Sequence, residues 1–110
     1  MEIENERSGS SLVVRVSGRL DAVSTPAFEA HCQQAIAQGE RALILDFGPL
    51  EYMSSAGLRG VLSVAKSVGA AHGEFTLANA RGIVREVLEI SGFLRMFRLI
   101  DSLDKPAAQA

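Results

Sequence analysis

The chain has 110 residues, 47% of them hydrophobic, which suits one compact domain spanning 1–110 and is too short for two separate cores. A formal charge of −2, with eleven basic residues scattered along the chain, provides no field to gather a polyanion and excludes nucleic acid as a partner class. Five phenylalanines, one tyrosine and no tryptophan leave the core to Leu, Val, Ile and Ala and exclude a large aromatic binding platform.

Two short extended runs, 2–7 and 12–17, flank the turn signal Ser8-Gly9-Ser10-Ser11 and predict an N-terminal hairpin. In the second run Leu12, Val14 and Val16 alternate with Val13, Arg15 and Ser17, the period of a strand with one well-buried face, and Gly18 is expected to end it. Next, Thr25 is placed to cap a helix, with Pro26 at the first helical position, where a missing N–H costs nothing. The helix is predicted over 26–38, with Phe28, Cys32, Ala35 and Ile36 inward and Gly39 as its stop.

The apolar run 42–47 reads as an inner strand covered on both faces. From it the chain passes through Gly48-Pro49-Leu50-Glu51-Tyr52-Met53 to Ser54 and Ser55 and a second helical pattern. Leu58, Val61, Leu62, Ala65 and Val68 trace one face of that helix, Val64 lies off it, and Gly69 closes it. Residues 74–78 form another strand, and Asn79 is placed to cap a third helix over 81–91, with Val84, Val87 and Leu88 inward and Gly92 at its end. Phe93, Leu94, Phe97, Leu99 and Ile100 are expected to pack onto the body, with order to about residue 103 and a loose tail after Asp104. Arg81, Arg85, Arg95 and Arg98 are interleaved with Glu86, Glu89 and Asp101, the pattern of a solvated face. Strands alternating with helices imply parallel neighbours joined by right-handed crossovers, with the hairpin adding an antiparallel edge.

Few residues are arranged for catalysis. His31, Cys32 and His72 have no chelating spacing, so no metal is expected, and His31 and Cys32 read as structural. The lone Cys32 excludes an internal disulfide, no secretory leader pattern opens the chain, and no apolar run approaches the roughly 20 residues of a membrane span. A cytoplasmic protein without direct membrane insertion is the expectation. Ser54 and Ser55 lack the glycines of a nucleophile elbow, and glycines 57, 60 and 69 fit neither a phosphate loop nor a dinucleotide fingerprint, so no cofactor is expected.

Gly57 and Gly60, three apart on one helical face, allow close approach of either a partner or the protein's own sheet. Asp21 follows an early strand and Asp46 lies near the end of the central strand, which directs both toward the tip that carries the serines, where a carboxylate either orients a hydroxyl or caps a turn; Asp46, inside an apolar strand, requires hydrogen-bond partners. Backbone N–H groups in a helix's first turn have no partners within the helix, so Ser54 or Ser55 is a plain cap or, given the local positive potential, an acceptor for an added anion.

Five blocks, S-G-R-L-D-A at 17–22, L-I-L-D-F at 43–47, M-S-S-A-G-L-R-G-V-L at 53–62, L-E-I-S-G-F at 88–93 and M-F-R-L-I at 96–100, cover nearly the whole chain. In that order and spacing they resemble the STAS domain and, within it, the bacterial anti-sigma factor antagonists. That family's motif is commonly D-S-S-G-L, with the first serine phosphorylated; matching Gly57 and Leu58 to its Gly-Leu puts the phosphoacceptor on Ser55, with Ser54 in the aspartate position as a competing acceptor and Ala56 in that of the second serine.

The resemblance implies an α/β fold, a mixed sheet with helices packed against it. It also implies a partner-switching regulator, not an enzyme, which binds an anti-sigma factor serine kinase, is released by phosphorylation, and meets a PP2C-type phosphatase when phosphorylated. The docking surface it implies consists of Asp21 and the exposed side of the second helix, with Gly57, Arg59, Gly60, Ser63 and Val64. The alternative it implies is a non-phosphorylated STAS subunit of an ABC-type lipid transporter or other signalling complex, docking through the same helix. A phosphoryl-accepting receiver domain requires a lysine after a late strand, and E-F-T-L-A-N-A at 74–80 has none.

Overall fold

A computed structural model of the chain describes residues 1–100, with Leu94 described in its backbone alone. The boundary expected near residue 103 and the tail after Asp104 lie outside the described residues, as does the packing of the Leu94 side chain. The hairpin forms as β1 (Glu2–Ser8) against β2 (Ser11–Leu20), antiparallel, with Ser8 opposite Ser11. The chain continues through α1 (Thr25–Ala37), β3 (Ala42–Asp46), β4 (Leu50–Met53), α2 (Ser55–Ala70) and β5 (Glu74–Ala78). It ends in α3 (Gly82–Ile90), the single turn α4 (Phe93–Met96) and β6 (Arg98–Ile100).

The main path through the sheet is β1-β2-β3-β5-β6, antiparallel at the first pair and parallel thereafter, while β4 pairs in parallel with the last residues of β2. Alternation along the strands sends Leu12, Val14, Val16, Leu43, Leu45 and Leu77 to one face, where they meet Phe28 and Cys32 of α1, Val61, Val64 and Val68 of α2, and Val84 and Leu88 of α3. Val13, Ile44 and Ala78 form a smaller cluster on the other face. Helices α1, α2 and α3 each leave the carboxyl end of a parallel strand, so their N-termini share one end of the sheet.

Gly18 does not end β2. It takes φ +87°, the register shifts between Gly18 and Arg19, and the strand leaves β3 to pair with β4. A glycine at such a bulge lets the strand bend without a Cβ penalty. The short β4 and β6 were not evident from periodicity, because Gly48-Pro49 and a four-residue helix mask them. Thr25 does not cap α1: it is buried as the first helical residue, and its Oγ1 donates to the Asp21 carbonyl at 2.6 Å. Asn79 does not cap α3, since it sits in the left-handed region at φ +63° and its amide is committed to Asp46. Gly69 lies inside α2, and His72, at φ +62°, makes the left-handed turn after it. Val64 is fully buried, because α2 is covered by the sheet on one side and by α1 on another.

Candidate functional site

The two serines divide their roles. Strand β4 ends at the buried Met53, and Ser54 follows in extended conformation, φ −90° and ψ 176°, with its N–H donating to the Leu20 carbonyl at 3.0 Å. Its Oγ accepts from the Gly57 N–H at 3.2 Å, so Ser54 is the N-cap of α2. Ser55, one residue on, is exposed, and its hydroxyl has no hydrogen-bond partner among the described residues. The first-turn amides of α2 give its surroundings a positive potential, which favours an added anion.

The turn between β2 and α1 borders this tip and is held by its own side chains. Asp21 Oδ1 accepts from the Val23 and Ser24 N–H groups, each at 3.1 Å, while Ser24 Oγ accepts from the Asp21 N–H at 3.0 Å and donates to the Arg19 carbonyl at 2.8 Å. The backbone bond from Ser24, foremost, holds the Asp21 carboxyl below its usual range. Asp21 therefore fixes a turn, and the turn presents Val23, 89% exposed, at its tip. A groove of about 320 Å³ lined by Ala22, Thr25, Pro26, Glu29, Ala56, Arg59 and the backbone of Gly60 runs between the first turns of α1 and α2.

Three residues expected on the exposed side of α2 are instead buried, Gly57, Gly60 and Val64. A Cβ on Gly57 would lie 2.5 Å from the Leu20 carbonyl oxygen, and one on Gly60 would lie 2.3 Å from Thr25 Cγ2. Both glycines let α2 seat against the end of β2 and against α1, and with Val64 in the core none of the three offers a side chain to a partner. Arg59 is exposed and Ser63 half-buried on the face that Ser55 shares. The sequence reading did not single out Ala22, which lines the groove, or the exposed Val23, although a pair of apolar residues inside a turn otherwise built of polar ones was a signal.

The hydrogen bonds of Asp46 go to partners other than the serines. Its Oδ1 accepts from the Gly48 N–H at 2.9 Å and from Asn79 Nδ2 at 3.0 Å, and its Oδ2 accepts from Arg15 Nε at 2.8 Å. Arg15 reaches on to Glu6 at 3.0 Å. Burial pushes the Asp46 pKa up, but the bonds from Asn79, Gly48 and Arg15 together outweigh it and hold the carboxyl below its usual value. Burial also pushes the Cys32 thiol up to about 12, leaving it unreactive, and His31 Nε2 lies 2.8 Å from Asn5 Oδ1, tying α1 to β1. Among the described residues no group of three or more His, Cys, Asp or Glu is placed to hold a metal, and no helix is long and apolar enough to cross a membrane.

Residues 2–105 match the STAS domain family model, and the chain belongs to that family. Among its relatives, BtrV of Bordetella bronchiseptica, named as an anti-sigma factor antagonist, is 38% identical over 108 residues, covering 98% of this chain and 93% of that protein. A solved anti-sigma factor antagonist from Mycobacterium paratuberculosis superposes with a TM-score of 0.85 at 30% identity, over 94% of this chain and 87% of that one. The Bacillus cell fate determinant SpoIIAA, solved in its phosphorylated form, gives a TM-score of 0.74 at 27% identity and covers 94% of each chain.

Proposed function

We propose that the chain is an anti-sigma factor antagonist of the partner-switching kind: unmodified, it binds an anti-sigma factor that is also an ATP-dependent serine kinase, and phosphorylation of Ser55 releases it. The observation that carries the reading is the division between adjacent serines, one engaged as the cap of α2 and the other exposed beside a groove. The names of its relatives support it, as does a solved phosphorylated form of SpoIIAA. On this reading the protein is a cytoplasmic regulator and a substrate of its partner, with no catalysis of its own.

In the transfer, Ser55 Oγ attacks the γ-phosphorus of ATP held by the kinase, the bond to the bridging oxygen breaks, and ADP leaves. The hydroxyl proton passes to a base of the kinase, since the Asp21 carboxylate is occupied within its own turn. The product carries about −1.5 to −2 charges at the tip. In the free protein the amide end of α2 and solvent accommodate them. Against a partner surface that supplies no counterion, burying them costs several kcal/mol, and each 1.4 kcal/mol weakens binding about tenfold. Release needs no refolding, and a PP2C-type phosphatase restores the binding form.

The test uses the anti-sigma kinases encoded in the source genome, each purified and incubated with this protein and ATP, with the modified residue mapped by mass spectrometry. One phosphate on Ser55, no modification of Ser55→Ala with binding retained, and binding of Ser55→Asp weakened by at least about tenfold are expected. Phosphate on Ser54 instead, or Ser55→Asp binding as tightly as the parent, overturns the reading.

A further inference from the structure

Resting on that reading, we propose that the exposed ridge of α2 is a basic docking strip that seats an acidic surface of the partner, with Arg59 and Lys66 as its cationic contacts. Helix α2 contains these two cations and no Asp or Glu in sixteen residues. A helix face that only meets solvent usually carries acids one turn from its bases, where the pairs stabilise it. Arg7, Arg15, Arg19 and Arg85 each meet an acid; Arg41, Arg81, Arg95, Arg98, Arg59 and Lys66 are exposed and form no ion pair among the described residues, and of these Arg59 and Lys66 stand together on α2. Glu29 lines the same groove as Arg59 without pairing with it.

The spacing makes a ridge of them. Seven residues separate the two cations, two helical turns and about 10 Å along one face. Ser55 stands one turn before Arg59, Ser63 one turn after it, and the half-buried Leu58 and Leu62 supply apolar surface alongside. The chain as a whole carries −2, so the strip is a local departure from its overall charge. Charge complementarity of this kind sets orientation and association rate at an interface. It also makes phosphorylation doubly effective. A dianion on Ser55 faces the partner's acidic surface, and any pairing with Arg59 withdraws that cation from the partner.

Calorimetric titration of the unmodified protein with the kinase that modifies Ser55, at low and high salt, tests the strip. The double variant Arg59→Glu with Lys66→Glu is compared with the parent, with Arg59→Lys with Lys66→Arg, and with Arg95→Glu on α4 as a reversal away from the ridge; circular dichroism and urea midpoints establish that all are folded. The double reversal is expected to weaken binding at least about tenfold at low salt and to flatten the salt dependence, while the other two variants bind like the parent. Affinity and salt slope unchanged by the double reversal, or lowered equally by Arg95→Glu, overturn the inference while leaving the switch at Ser55 standing. If none of the kinases binds the parent, the underlying reading fails and takes the strip with it.

Discussion

At Ser54 and Ser55 identical side chains receive different tasks from one step in backbone position. Ser54→Ala removes the cap of α2 and is expected to lower stability by about 1 kcal/mol, whereas Ser55→Ala, exposed and unbonded, is expected to stay within about 0.5 kcal/mol of the parent in urea unfolding. Capping propensity alone could not distinguish the two, because the choice depends on where β4 ends. Asp46 shows the same limit. Its position in an apolar strand announced that it needed partners, but Arg15 and Asn79 are brought to it only by the pairing of three strands. Asp46→Ala is expected to cost about 3 kcal/mol, since it leaves Arg15 without its most buried partner. Because the folded carboxyl titrates below its unfolded value of 3.8, its contribution is present above that value and disappears as pH falls through the folded pKa. Unfolding midpoints measured from pH 6 down to about 2 should therefore decline less steeply in Asp46→Asn than in the parent.

Among elements, α2 decides the geometry of the tip, and its three glycines differ in kind. Gly57→Ala and Gly60→Ala drive a methyl into the Leu20 carbonyl and the Thr25 side chain, and each is expected to cost about 1–3 kcal/mol and to loosen the contact between α1 and α2. Gly69→Ala meets nothing within 4 Å inside the same helix and is expected to gain about 0.5–1 kcal/mol; thermal melts of the three variants give the comparison. The period of apolar residues located α1, α2 and β5 in the sequence to within a residue or two. It did not reveal β4, which exists because the end of β2 offers it a partner, nor the burial of Val64, which requires α1 to lie alongside.

For the molecule as a whole, the order of strands and helices was legible as a mixed sheet with an antiparallel first hairpin, since the hairpin turn and the helix stops at Gly39 and Gly92 carry local signals. The assembly of the site was not, because the β2–α1 turn, the groove and Ser55 meet only when the N-termini of α1 and α2 lie side by side at one end of the sheet. That arrangement predicts a switch without a change of fold. Protein phosphorylated on Ser55 should melt within a few degrees of the unmodified form, with backbone NMR shifts confined to the first turns of α1 and α2; a shift spread across β1 or β6 would contradict it.

A single carbonyl, that of Leu20, accepts the Ser54 N–H and lies directly beneath Gly57, so the end of the second strand and the start of the second helix are joined at one atom. The amide proton of Ser54 is thus a resident gauge of that joint. Followed in heavy water while the neighbouring hydroxyl is modified and restored, its exchange should remain slow throughout the cycle, marking a hinge that never opens beneath a surface that is rewritten each time.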